Sequence, residues 1–464
     1  MNIRPLGIFL PVGARVGVLF QYRLSDDAVT TRFVADEAFI GLASQPTLSA
    51  LYLANTPAEQ ETLWRDVRST VMNGSYSNKN GWLLPAFFQN LLPEGVFRDR
   101  IAETRGCDPK DHFEMLAACG KDLPGGIYAL PVDLSHEEMQ RYVTEDNDSL
   151  EMSVVAQPLD EGVSLSGVQP KVGASFHNGR YVGRTKNQDT HIIAKLPVVN
   201  QPLLPEVEEL SLRLAHAAGV DTCSARLAPL ELLEIEHGYD LGETDSQTQF
   251  LAVQRFDRTP DGRVHCEDIA QVLGVMPEDK YGELNGDERT TYLDVAAVLH
   301  SFASMGEEAV HELLRRIVVN ELLGNPDMHL KNIGVIYRDG VTPTLSPAYD
   351  IVAYAAFSKN TGHALRLLPR SLYPLREHSQ EGLPSPKQKL SPAVVRAMCQ
   401  ALNIIEAPAT AAVREAVKKA FKSWPQMIEE SAITAAQKAR LLEHFRSHTM
   451  IQSLQHRAGR HKSL

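Results

Sequence analysis

The sequence predicts a mixed α/β (α+β) chain of two lobes, one strand-rich and one mostly helical, preceded by a further segment of mixed strands and helices. Three observations predict it. Between Gln169 and Arg258, short apolar runs alternate with turn dipeptides, the pattern of half-buried strands. From about residue 286 apolar residues recur at three and four, the period of helices with one buried face. An acidic, polar stretch at 136–161 separates both from the opening of the chain and reads as a linker or exposed crossing. The expected division is an N-terminal subdomain over 1–150, a strand-rich region over 151–260, a helical region over 261–445 and a basic tail over 446–464.

The opening segment offers strand-like runs at Val16–Tyr22 and Arg32–Ile40, then helical patterns around "AFFQNLLPEGVFRDRIAETRG". After the linker, "QPKVGASFHNGRYVGR" gives a strand, an Asn178-Gly179 turn and a second strand. "HIIAKLP" is a third strand, ended by Pro197. "PEVEELSLRLAHAAGV" places Leu210, Leu214 and Ala218 at helical spacing, with Gly219 as its stop. "TQFLAVQRFDR" returns to strand. A crevice between two such lobes is a usual place for a ligand.

A chain of 464 residues with 43% hydrophobic and 22% charged residues can bury a large core without staples. Its five cysteines form no CxxC pair, which argues against a zinc ribbon or disulfide framework and suits a reducing compartment. A net charge of -12 excludes nonspecific nucleic-acid binding by the chain as a whole. No apolar run approaches membrane-spanning length, and Pro5, Gly7 and Pro11 break the apolar N-terminus. The expectation is a soluble, cytoplasmic protein with no membrane partner. The basic stretch Arg446–Lys462 is read as a frayed, solvated end, with a phosphate-contacting tail as the alternative.

The chemistry concentrates at "GNPDMHLKN", residues 324–332. The preceding "GEEAVHELLRRIVVNELLG" is an amphipathic helix stopped by Gly324, and Asn325-Pro326 makes a turn. "IGVIY", the Asp339-Gly340 turn and "VTPTLSPAYD" then form a hairpin. Its antiparallel return brings Asp350 near Asn332, so Asp327, Asn332 and Asp350 converge. Singly, each has an ordinary role as a turn cap, strand end or exposed acid. Together they make an oxygen-rich site for a hard cation such as magnesium, which takes one or two carboxylates plus substrate phosphates. Asp-x-x-x-x-Asn is also the spacing of a kinase catalytic loop, whose Asp accepts the hydroxyl proton and whose Asn holds metal. Lys331 could neutralise phosphate charge. Upstream, Lys195 lies in an apolar strand, where Glu206, Glu208 or Glu209 of the next helix could position it against α- and β-phosphates. Alternatively, Lys195 snorkels from a strand edge. "SLSGVQPK", Ser164–Lys171, could offer backbone N–H groups to phosphate. Its single Gly167, and Pro170 without a donor, also suit an ordinary turn.

Taken together, "FFQNLLPEG", "MLAACGKDLPGGI", "VSLSGVQPKV", "HIIAKLP", "VQRFDR", "RVHCEDIAQVLG", "GNPDMHLKN" and "LSPAYDI" resemble, in order and over most of the chain, the HipA family of bacterial toxin kinases. The resemblance implies a protein-kinase-like two-lobed fold with an added N-terminal subdomain. It implies ATP- and Mg2+-dependent serine/threonine kinase activity within a toxin–antitoxin module. By this resemblance Asp327 is the catalytic base and Asn332 and Asp350 bind the metal. Lys195 holds phosphates, and Ser166, Gly167, Val168, Gln169, Pro170 and Lys171 form the nucleotide loop. Gln254, Arg255 and Phe256 lie at the hinge facing adenine. His329, Leu330, Lys331, Asn332, Tyr349 and Asp350 complete the ATP-binding set. Ser164 matches the position of loop self-phosphorylation, with Ser166 the second candidate. The implied partners are a helix-turn-helix antitoxin, operator DNA through that complex, and a protein substrate of translation: an aminoacyl-tRNA synthetase, glutamyl- ahead of tryptophanyl-tRNA synthetase. The chain departs from the family pattern at Met328, which replaces a polar residue after the catalytic Asp, and in "GKDLPGG" where Gly-Arg-Asp-Cys-Ala-Gly-Ala is usual. Neither removes a catalytic group, so an active kinase is expected. Two other classes share these features: a small-molecule kinase, and a non-catalytic corepressor acting with its antitoxin.

Overall fold

The computed structural model describes residues 2–462 apart from 12, 14, 26–27, 67–68, 78–80, 136, 139–150, 153–156, 160–161, 166, 168, 185–188, 285–286, 359–361 and 373–388. The N-terminal strands Asn2–Phe9, Arg15–Ser25 and Ala28–Ala35 pair antiparallel in chain order. Tyr128–Pro131 and the short Glu151–Met152 join the free edge of the first strand. Along Ala28–Ala35 every second residue is buried, the period that faces one side of a sheet to a core. Phe33 meets Tyr52, Trp64 and Phe88 there. The strand expected over Arg32–Ile40 ends earlier, and Glu37–Ile40 is one helical turn. Asp36 sits between them, its carboxylate accepting from Arg15 at 2.6 Å, so a paired acid ends the strand. The "AFFQNLLPEGVFRDRIAETRG" pattern forms two helices, Ala86–Gln89 and Gly95–Arg105, divided at Leu92-Pro93, because proline cannot extend a helix it follows.

The second sheet runs in the order Ala225–Pro229, Gln249–Gln254, Ile192–Lys195, Lys171–His177, Arg180–Val182, Leu233–Glu234. Its pairs are antiparallel except the last. The turn joining Lys171–His177 to Arg180–Val182 uses Asn178 at φ 48° and Gly179 at φ 80°, the left-handed conformation this hairpin needs. Lys195 is opposite Lys171 on one side and Leu251 on the other. The helix Leu204–Ala217 follows and buries Val207, Leu210 and Leu214.

The third layer is a small sheet in which Gly334–Tyr337 pairs with both His265–Asp268 and Thr344–Leu345. The expected hairpin is therefore two strands of three. The helix Gly306–Leu323 runs through the core and ends at Gly324, at φ 66°. Around it pack Tyr292–Ser301, Glu406–Glu430 and Ala435–Ser447. Trp424 is fully buried against this core, its indole N–H donating to the Leu214 carbonyl at 2.8 Å; burial of such a side chain contributes about 1.5–3 kcal/mol. The end of the chain is not the frayed segment expected. Thr449–Lys462 is helical, with Ile451 buried. His448 donates to Glu321 at 2.8 Å, and Glu321 also meets His363 at 3.1 Å. An apolar anchor and a buried hydrogen bond thus fix a segment whose composition reads as solvated. Among the described residues no helix is long and apolar enough to cross a membrane.

Candidate active site

The strand-rich sheet and the small third sheet meet at a cleft lined by Ser164, Lys171, Lys195, Gln254, Arg255, Phe256, Lys331, Asn332, Tyr349 and Asp350. These residues come from six separate stretches of sequence. Asp327 lies at its edge, with a side chain 36% exposed. The Asn332 amide N–H donates to the Asp327 carbonyl at 2.8 Å, which ties the two ends of the loop and leaves the amide oxygen for another partner. The Asp327 N–H is held in turn by Asn325 at 3.1 Å.

Lys195 donates to both Glu208 and Asp350. Of the three candidate glutamates, Glu208 is the one that meets Lys195, although Glu206 is buried too; Glu209 pairs with Arg213 on the outer face at 2.8 Å. Burial opposes the charge on Lys195, but the two carboxylates outweigh it and hold the ammonium protonated. Burial likewise opposes ionisation of Asp350, but Lys195 and Lys171 outweigh it and hold its carboxyl well below the usual range. Asp350 also sits at φ 57°, a conformation that Asp and Asn tolerate better than most residues. Burial lowers the pKa of Lys171, and nearby Lys195 adds to the effect against the pull of Asp350.

Asn332 and Asp350 offer a hard-oxygen pair. Among the described residues no group of three or more His, Cys, Asp or Glu side chains could hold a metal alone. The donor set therefore fits a magnesium ion that completes its shell with phosphate oxygens and water, and misfits a metal needing an all-protein cage.

Other expected residues are placed less simply. Lys331 gives its ammonium to Glu94 at 3.1 Å and to the Asn90 carbonyl at 3.0 Å, so its charge is engaged by the N-terminal module. Burial opposes the ionisation of Glu94, but Lys331 and Lys280 hold it down at about 2. Arg255 reaches away from the hinge to Asp122 and Asp257, each at 2.9 Å, so only its backbone could face a nucleotide. Phe256 packs on Tyr349, ring centroids 5.6 Å apart, and the Tyr349 hydroxyl donates to the Lys331 carbonyl. His329 is 3.9 Å from Asp327, but burial pushes its imidazole down to about 4, so it is neutral near pH 7. Leu330 is wholly buried.

Ser164 is 1% exposed. Its hydroxyl donates to the Leu91 carbonyl and its N–H to the Asp122 carbonyl. It therefore lines the cleft without presenting its hydroxyl to solvent. Gly167 has φ 93°, a conformation that favours glycine. Among the described residues the buried amide nitrogen of Gln169 has no hydrogen-bond partner. The Leu196 N–H donates to the Pro170 carbonyl, which fastens the loop to the end of the Lys195 strand. Ser166 and Val168 lie outside the described residues.

Four residues of the site have no counterpart in the spacing arguments. Asn90, Glu94 and Asp122 come from the N-terminal module, inside "FFQNLLPEG" and "GKDLPGG". Their signal was an acid or amide within an apolar run. Tyr281 is the fourth: its hydroxyl donates to Asp327 Oδ1 at 2.6 Å. No periodicity or motif marks it.

A strand-rich lobe, a helical lobe, and a lysine–glutamate pair facing an Asp–Asn–Asp loop across the cleft define a protein-kinase-like class of fold. Comparison with known proteins specifies the family. Residues 11–130 match the HipA N-terminal domain and residues 163–424 the HipA-like C-terminal domain. The chain belongs to the HipA family. It is 35% identical over 326 residues to "Putative kinase Y4dM" of Sinorhizobium fredii, spanning 70% of this chain and 72% of that protein. It is 30% identical over 289 residues to "Putative kinase Y4mE" of the same organism, spanning 58% and 64%. Its fold is similar to that of HipA in the Shewanella oneidensis MR-1 complex of HipA, HipB and operator DNA, with a TM-score of 0.63 over 95% of this chain and 96% of that one at 18% identity.

Proposed function

We propose that this chain is an ATP- and magnesium-dependent serine/threonine protein kinase, the toxin of a toxin–antitoxin pair. The observation that carries the reading is the joint placement of Lys195, Glu208, Asn332 and Asp350 in one cleft with Asp327 at its edge. Lys195 and Lys171 supply positive charge for phosphates. The Asp327 carboxylate accepts the proton of the attacking hydroxyl. Asn332 and Asp350 would hold magnesium, which when bound would stabilise the charge of the transferring phosphoryl group. Asp350 must release Lys195 in part to serve a cation, and Glu208 keeps the ammonium in place meanwhile.

The likeness to HipA bound with HipB and operator DNA supports, for this chain, a helix-turn-helix antitoxin partner and DNA contact through it. The family resemblance points to an aminoacyl-tRNA synthetase as the protein acceptor. The domain division proposed is the N-terminal subdomain to about residue 150, the nucleotide-binding lobe to about 260 and the helical lobe beyond.

Intact-mass measurement after incubation with ATP and magnesium, with fragments mapped, tests the reading: a gain of phosphate on Ser164 or Ser166 is expected. An unmodified chain that also fails to bind ATP would sink it. Asp327→Asn is expected to keep nucleotide binding and lose turnover by roughly a hundredfold or more, read by calorimetric titration beside a phosphotransfer assay. Phosphate on Ser164 should displace the loop, because its hydroxyl is buried against Leu91 and a dianion cannot stay there unpaired. Dephosphorylated protein should therefore bind ATP more tightly than phosphorylated protein, and equal affinities in a side-by-side titration would refute the self-inhibition.

A further inference from the structure

We infer that the Tyr281 phenol stands on Asp327 Oδ1 where an acceptor hydroxyl belongs, and so keeps water from that oxygen until a protein acceptor displaces it. The inference rests on the kinase reading. A hydroxyl that is to lose its proton to Asp327 must come within hydrogen-bond reach, roughly 2.6–3.2 Å. The phenol makes that bond at 2.6 Å to Oδ1. Asp327 already has its backbone engaged by Asn325 and Asn332, so the carboxylate is the part left to meet the phenol.

Tyr281 is presented by an anchored segment. The Lys280 carbonyl accepts from the Leu330 N–H at 3.1 Å, and the Lys280 ammonium pairs with Glu94 at 3.0 Å. The ring stands edge-on to His329 with centroids 5.1 Å apart. Glu94 holds Lys331 as well, so one acid of the N-terminal module fixes both the catalytic loop and the segment carrying the phenol. Yet Tyr281 itself is 41% exposed, which leaves the side chain room to swing out without disturbing packing. Burial and the bond to Asp327 raise the phenol's pKa, so it remains a donor through the neutral range.

The step that Tyr281 restrains is hydrolysis of the nucleotide. The water oxygen bonds to the γ-phosphorus of ATP, the bond from that phosphorus to the bridging oxygen breaks, its electron pair leaves with ADP, and the water proton passes to Asp327. A protein acceptor differs in bringing binding contacts of its own, which compensate for displacing the phenol.

Initial rates of phosphate release from ATP and magnesium, without acceptor, on dephosphorylated full-length protein test this. Tyr281→Phe should release phosphate roughly tenfold faster than the unsubstituted protein, the scale of one hydrogen bond to a charged group. Its ATP affinity, read by titration, should be unchanged. Asp327→Asn alone and Asp327→Asn combined with Tyr281→Phe should release phosphate at the same low rate, because the phenol acts only through that carboxylate; a structural effect of the tyrosine would still separate the two. If Tyr281→Phe binds ATP normally but turns over no faster, the phenol only orients Asp327 and the inference is overturned. If the unsubstituted protein binds no ATP, the kinase reading falls and takes the inference with it.

Discussion

Asp350→Asn should lose magnesium-dependent phosphotransfer by roughly a hundredfold or more, the scale on which single electrostatic contacts act at a transition state. The substitution is chosen for its backbone. Asp350 sits at φ 57°, which asparagine tolerates and most side chains do not, so the change removes charge without straining the loop. The half-buried carboxylate lies near Lys195 and Lys171, which hold it ionised. Its replacement leaves Lys195 with Glu208, a pair that still balances in charge. The fold should therefore survive while magnesium loses its only carboxylate ligand in the proposed set. ATP affinity should become insensitive to added magnesium, and calorimetric titration with and without the metal reads this directly. Near-normal turnover in the variant would show that the convergence of Asn332 and Asp350 does not make a metal site.

The part of this site that sequence spacing reveals is the part built locally. Helix stop, turn and hairpin follow one another between Gly324 and Asp350, and turn chemistry at Asp339-Gly340 fixes which ends meet. Lys195 was likewise legible from its apolar strand. The glutamate that meets it was not, although the helical phase contained the answer. Glu208 is in phase with buried Leu204, Leu212 and Ala215, whereas Glu209 is in phase with Arg213, whose side chain is half exposed. What spacing could not reveal are contacts made across the chain. Lys331 meets Asn90 at a separation of 241 residues, and Arg255 meets Asp122 at 133. Such pairings depend on how the N-terminal module docks, and no periodicity encodes that. The same docking engages the side chains of residues expected at the nucleotide: the Arg255 guanidinium ties Asp122 to Asp257, and Lys331 shares its charge with Glu94.

Asp122→Ala should destabilise the chain by about 3–5 kcal/mol, the usual consequence of removing one partner from a buried ion-pair network. Asp122 is fully buried in the N-terminal module. It accepts from Arg255 and Arg258 at 2.9 Å and from the Thr190 hydroxyl at 2.7 Å. Asp257 pairs with the same two arginines. Without Asp122, two buried guanidiniums share one carboxylate, and the uncompensated charge falls beside Gln254 and Phe256, the hinge proposed for the nucleotide. The melting temperature should drop by roughly 10 °C or more, and ATP affinity should fall with it because the hinge loses its tie. The effect has a sign in pH. Burial alone raises the Asp122 pKa, but Arg255 and Arg258 outweigh it and hold the carboxyl below its unfolded value. A depressed pKa contributes stability that is fully present above the unfolded value, near 3.9, and is lost as pH falls below it. The stability gap between the unsubstituted protein and Asp122→Ala should thus stay constant from neutral pH to about 5 and close below about 4. Denaturant midpoints across that range check it. A gap that widened in acid, or a variant as stable as its parent at pH 7, would mean that the arginines find other partners and that Asp122 does not hold the hinge.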